Sequence, residues 1–181
     1  MNLSDYNRYF TDAVSKVGEN AVCRFIGSIV QSDRVITAGN GGSSSTASHF
    51  AQDLAKAIGK PSACLTDNVG LLTAFANDDG YDKALVDILE TMLVTEKTLV
   101  VLLSGSGKSP NVLAVANLCR QFGVKVVALT GYDGGTLKDL CDIHIHVPLN
   151  DMETCESIHS LILHYVIKEL KNGYDTRQDK E

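Results

Sequence analysis

The stretch ITAGNGGSSSTASHFAQDLA, residues 36–55, decides the fold. A β-run, Arg34-Val35-Ile36-Thr37, leads into it, breaks on Gly39-Asn40-Gly41-Gly42 and gives way to a helical pattern. Glycines permit positive φ and close approach of the backbone to a ligand. Serines cap free N–H groups, so the helix is expected to start near Ser43 to Ser45. A strand, a glycine-rich turn and a helix N-terminus together form an anion cradle suited to phosphate or carboxylate. The spacing fits neither G-x-x-x-x-G-K-[ST] nor G-x-G-x-x-G, so a nucleotide motif is not supported. One turn into the helix stand His49 and Asp53, four apart and on one helical face.

Working outward, the pattern alternates. Residues 5–31 read as one or two helices, with Val22, Phe25, Ile26, Ile29 and Val30 on a helical stripe. Strands are expected at 35–38, 62–66, 98–103, 124–130 and 143–147. The cradle helix is expected to run to about Ile58 and stop at Gly59-Lys60-Pro61. Further helices are expected at 71–76, at 81–94, and after the turn SGSGKSPN (104–111) as far as Gly123. A short helix follows at 136–140, and a long one runs from Asp151 to near Leu170, with a frayed tail over 172–181. Strands alternating with helices imply a three-layer α/β/α sandwich around a mostly parallel sheet of about five strands, of flavodoxin-like type. Ligands of such sheets bind outside the carboxyl ends of the strands, where strand order reverses. Both polar turns, 39–45 and 104–111, fall at such ends, and no linker or repeat divides the chain.

Composition narrows the class. The chain has 181 residues, 44% hydrophobic and 21% charged, with a formal net charge of -6. That is room for one core, and an acidic balance that argues against bulk nucleic-acid or anionic-membrane binding. No apolar run approaches the roughly 18 residues of a membrane span, and MNLSDYNRYF lacks the features of a signal peptide. Five cysteines, widely spaced and without C-x-x-C, read as reduced thiols. A cytoplasmic location is expected.

Three groups of residues carry candidate chemistry. Ser104, Ser106 and Ser109 precede a helix after a buried strand; their hydroxyls and the helix N–H groups suit a phosphate monoester without a metal. The plain alternative is a capped, solvated turn. His49 and Asp53 can hold a metal or divide acid–base duty, or can simply be a surface pair. The final helix carries Glu156, His159 and His164 in the apolar run ESIHSLILH. At about 1.5 Å and 100° per residue, Glu156 and His164 lie about 12 Å apart along the axis and about 80° apart around it, so a shared metal is only just in reach. His159 faces elsewhere, either packed or hydrogen-bonded. His144 and His146 share a strand face and read as structural.

GNGGS…HFAxDL, FANDDGYD, SGSGKSPN, ALTGYDGG and ESIHSLILH, in this order, resemble the sugar isomerase (SIS) domain, and within it the phosphoheptose isomerases. The resemblance spans about residues 5–170. It implies ketose–aldose isomerisation of sedoheptulose 7-phosphate through an enediol, in bacterial surface-heptose synthesis. It also implies a homotetramer with active sites at subunit interfaces, the 5–31 helices serving assembly, and one zinc per site. By the same resemblance Asn40, Gly41, Gly42 and Ser43 meet the sugar with Asn77 and Asp78, while Ser104, Gly105, Ser106 and Ser109 hold the phosphate. His49, Asp53, Glu156 and His164 are the implied metal ligands, Asp53 the base and His164 the acid. Two positions depart from the family pattern, which carries Glu at position 53 and Gln at position 156. The first shortens the base by one methylene; the second adds a carboxylate. Two rival readings are a non-catalytic SIS module that binds a sugar phosphate or a protein, and an isomerase of another sugar phosphate.

Overall fold

The computed structural model describes residues 1–92 and 94–178. Five strands form one parallel sheet: β1 (Arg34–Gly39), β2 (Ser62–Cys64), β3 (Thr98–Ser104), β4 (Lys125–Thr130) and β5 (Ile143–His146), in the order β2-β1-β3-β4-β5. The expected three-layer architecture is present. Alternation along the strands builds two cores. Val35, Leu99, Val101, Leu103, Val127 and Leu129 pack beneath helices α1 (Leu3–Ser15), α2 (Glu19–Gln31), α3 (Gly41–Asp53) and α7 (Met152–Gln178). Ile36, Ala38, Val100, Leu102, Val126 and Ala128 pack against α5 (Tyr81–Thr91) and α6 (Pro110–Gln121). β3 is buried along its whole length, as a central parallel strand covered on both faces must be.

Strand order reverses between β1 and β3. The chain leaves β1 for β2 on one side and returns to lay β3 on the other. The crevice that opens there, beyond the carboxyl ends, is the ligand position of doubly wound sheets. Asn40 follows β1 at this point and Ser104 ends β3.

Several boundaries differ from expectation. The 5–31 region, expected as one or two helices, is two, and the first begins earlier, at Leu3. α3 begins at Gly41 rather than near Ser43 to Ser45, because the Ser44 N–H donates to the Asn40 carbonyl at 3.2 Å and closes the first turn two residues early. Beyond Asp53 the helix widens into a π-helical turn, Leu54–Ile58, and ends at Gly59 with φ 71° as the glycine signal implied. α4 (Val69–Asp78) is longer than 71–76, because the Asn68 carboxamide oxygen accepts from the Leu71 N–H at 3.1 Å and caps it early. Of the expected helix 81–94, residues 81–91 are helical, and Leu93 lies outside the described residues. The last helix passes Leu170 and continues to Gln178, since 171–178 contain no proline to break it; 179–181 of the expected frayed tail lie outside the described residues. Among the described residues no helix is long and apolar enough to cross a membrane.

Candidate active site

α3 and α7 lie side by side, and their pairing assembles a polar cluster from distant sequence. His49 Nε2 and His164 Nε2 are 3.0 Å apart, although 115 residues separate them in the chain. Asp53 Oδ2 lies 3.5 Å from His49 Nε2 and 4.0 Å from His164 Nε2. One potential ligand atom from each of the three residues falls within 4.8 Å of the others. The helical spacing of 49 and 53 supplies one face, while Phe50 and Leu163, both buried, fix the helix pair beneath it. Two imidazoles edge to face at 5.2 Å, with a carboxylate at their rim, make a donor set that suits a divalent ion such as zinc and leaves a further position for water or substrate. Asp53 stands where the α-helix widens to a π-turn, a distortion frequent at functional sites. The two histidine side chains are more than half exposed, 55% and 56%, so the cluster sits at an open surface of this chain.

Glu156 is not part of that cluster, which corrects the four-ligand expectation. Eight residues before His164 on a straight helix, it stands about 12 Å away along the axis. Its carboxylate instead meets the start of α3, where Oε1 accepts from Ser43 Oγ at 3.3 Å. It packs so closely on Gly42 that a Cβ there would collide with it. A carboxylate at a helix N-terminus is favoured by the dipole and by the free N–H groups. Glu156 thus lies at the start of α3, bonded to the Ser43 hydroxyl, where GNGGS was expected to receive an anion.

At the reversal point Asn40 is not free to cap α3. Its Nδ2 donates to Asn111 Oδ1 and receives at Oδ1 from Asn111 Nδ2, both at 2.9 Å. Tyr81 Oη donates to the same Asn40 oxygen at 2.8 Å. Asn111 and Tyr81 were not singled out from sequence; the only signal was their placement at helix starts flanking the crevice. Asn77 Nδ2 donates to Asp78 Oδ1 at 2.9 Å and both residues are exposed at the end of α4; the structure brings Tyr81, not these two, to Asn40.

The serine turn forms a compact loop before α6. Ser104 Oγ and Ser109 Oγ are 3.3 Å apart, and Ser106 Oγ accepts from the Lys108 N–H at 3.2 Å. Gly105 lies against Met152 at the start of α7 without room for a Cβ. Hydroxyls grouped before a helix N-terminus offer donors to an anion. His144 and His146 are engaged structurally, with His144 Nε2 paired to Thr130 Oγ1 at 2.7 Å and His146 Nε2 to the Tyr132 carbonyl at 3.0 Å. His159 is wholly buried and neither ring nitrogen has a hydrogen-bond partner among the described residues. Burial pushes its pKa down from 6.5 to about 4; the Thr130 backbone opposes that shift and His146 adds to it.

The SIS domain family model matches residues 7–131. A phosphoheptose isomerase of Aliarcobacter butzleri is 36% identical over 77% of this chain and 76% of its own length. The chain belongs to the SIS-domain phosphoheptose isomerase family. A lincomycin biosynthesis protein of Streptomyces lincolnensis is 40% identical over 71% of this chain, which spans about half (52%) of that longer protein. Among solved structures, a phosphoheptose isomerase from Francisella tularensis superposes with a TM-score of 0.83 at 25% identity, covering 95% of this chain and 100% of its own. An SIS-domain isomerase needs a phosphate anchor and an acid–base group, and this chain holds a candidate for each: the 104–109 turn and the cluster on α3 and α7.

Proposed function

We propose that this chain interconverts sedoheptulose 7-phosphate and its aldose isomer, a heptose 7-phosphate, through an enediol, for surface-heptose synthesis in the bacterial cytoplasm. The observation that carries the proposal is the meeting of His49, Asp53 and His164 in a fold whose crevice is already furnished with a phosphate turn. Ser104, Gly105, Ser106 and Ser109 anchor the phosphate. Asn40, held by Asn111 and Tyr81, has one amide hydrogen left for a sugar hydroxyl, and Gly41, Gly42, Ser43, Asn77 and Asp78 complete the wall. Asp53 takes the proton from the carbon beside the carbonyl, and His164 delivers a proton at the oxygen from whichever ring nitrogen a metal would not hold. His49, Asp53 and His164 would hold zinc, which when bound supplies Lewis-acid stabilisation of the enediolate charge. Asp53 turns one oxygen, Oδ2, toward both imidazoles; a carboxylate has a second, so ligation and proton transfer need not use the same atom. Glu156 contributes by filling the α3 N-terminus and setting Gly42 and Ser43 in place.

The distances favour sites completed between subunits. Along α7, Met152 touches the phosphate turn and His164 the acid–base cluster. Twelve residues separate them, about 18 Å of helix, longer than a seven-carbon sugar phosphate can bridge. The exposed histidine cluster of one chain therefore serves the phosphate turn of another, in a homotetramer assembled through the N-terminal helices.

Incubation of the purified protein with sedoheptulose 7-phosphate, following the aldose with and without chelator, tests the proposal. Aldose formation that chelator abolishes is the expected result; no conversion would refute it. The 40% identity to the lincomycin biosynthesis protein supports a second reading, the same chemistry on another sugar phosphate. A panel of ketose phosphates in the same assay separates the two.

A further inference from the structure

Beside the serine turn lies a cleft of about 410 Å³ lined by Ser106, Lys108, Tyr132, Asp133 and Asn150. Lys108 is the cation among those residues, and its Nζ rests 3.2 Å from Asp133 Oδ2 with both side chains largely exposed. Asp133 itself is fixed. Its Oδ1 accepts from the Gly135 N–H at 3.1 Å, and its backbone carbonyl accepts from Lys138 Nζ at 3.1 Å. The 131–137 turn that carries it is bonded to the serine turn by Gly131 N–H to the Gly105 carbonyl (2.7 Å) and Leu137 N–H to the Gly107 carbonyl (3.0 Å). Gly107 and Gly135, both at positive φ, meet backbone to backbone with no room for a Cβ on either. The two turns are one rigid unit, and the Lys108 ammonium is its movable charge.

We infer that Lys108 is a specificity residue for the phosphorylated end of the substrate, held by Asp133 when the cleft is empty and turned onto the phosphate when it is filled. The inference rests on the isomerase reading for the substrate, and on the geometry for the charge. Apart from Lys108 the serine turn offers only hydroxyls and N–H groups, with no other formal charge, and a phosphate monoester arrives as a dianion. The Ser106 hydroxyl already accepts from the Lys108 N–H, which leaves its hydrogen free to donate toward the same cleft. The Asp133 carboxylate is held below the usual carboxylate range by the Gly135 N–H and then by Lys108. It thus remains a competing anion throughout the neutral range, and an uncharged sugar cannot displace it from Lys108.

Calorimetric titration of the full chain with inorganic phosphate at low ionic strength tests this without requiring turnover. Lys108→Met should weaken phosphate about tenfold, Lys108→Arg should stay within about threefold of wild type, and Asp133→Asn should bind more tightly, because the amide keeps the Gly135 bond but releases the ammonium. If Lys108 merely braces the two turns, Lys108→Met and Asp133→Asn will weaken binding together, and the inference fails. It fails equally if Lys108→Met binds as wild type does, or if wild type binds no phosphate at tens of millimolar. Conversion of sedoheptulose 7-phosphate is measured separately, so a charge effect without turnover would sustain Lys108 and sink the isomerase reading alone.

Discussion

Asn40 and Asn111 exchange two carboxamide hydrogen bonds, both 2.9 Å, across the crevice between β1 and β3. The pair ties the end of the first strand to the first turn of α6, where Asn111 Oδ1 also accepts from the Val112 N–H at 2.9 Å. Asn111 is 1% exposed, so its partners cannot be replaced by bulk water. Asn111→Ala should therefore cost about 1–3 kcal/mol, the penalty for stranding buried polar groups. It should also raise KM, as Asn40 loses its orientation. Urea unfolding and steady-state kinetics on the same preparation check both; an unchanged KM would remove Asn40 from the sugar wall.

Glu156→Gln separates the two roles open to this carboxylate. Seated on Gly42 and Ser43 at the start of α3, it interacts with a helix dipole, worth about 0.3–1 kcal/mol. The variant should lose stability of that order and keep the metal affinity of wild type. A large loss of bound metal by mass spectrometry would return Glu156 to the ligand set. His164→Gln should lose metal and activity together.

His159 gives the fold a pH signature. Its folded pKa, about 4, lies below its ordinary 6.5, so the unfolded chain binds the proton more readily. The stabilisation is complete above about pH 6.5 and is lost as pH falls toward about 4, on the order of 3 kcal/mol over the whole window. Urea midpoints at pH 7.5 and pH 5 should diverge in wild type and much less in His159→Leu. Equal slopes in the two proteins would assign the acid sensitivity elsewhere.

Much of this was legible in the residues. The apolar run TLVVLL could only be a strand covered on both faces, and the glycine turn of 39–42 had to leave a strand for a helix. His49 and Asp53 were readable as neighbours because the helix repeat sets them on one face. What sequence could not place was the partner across space. The reach of Glu156 and His164 along one helix was calculable at about 12 Å, but which of them would face His49 depended on how α7 lies on α3. The glycine signal of close approach holds at Gly42, where the neighbour is the Glu156 carboxylate, whereas Gly41 faces open space at positive φ. Asn111 and Tyr81 stayed hidden because a lone amide or phenol carries no periodic pattern.

The central claim is that His49, Asp53 and His164 form one acid–base site, with Asp53 as the proton acceptor. The most direct test is kcat/KM for sedoheptulose 7-phosphate in Asp53→Asn against wild type. The amide preserves size and hydrogen bonding but cannot take a proton. General-base loss predicts a fall of about 10²–10⁴-fold, with the unfolding midpoint and inorganic phosphate affinity unchanged. Turnover within twofold of wild type would contradict the assignment.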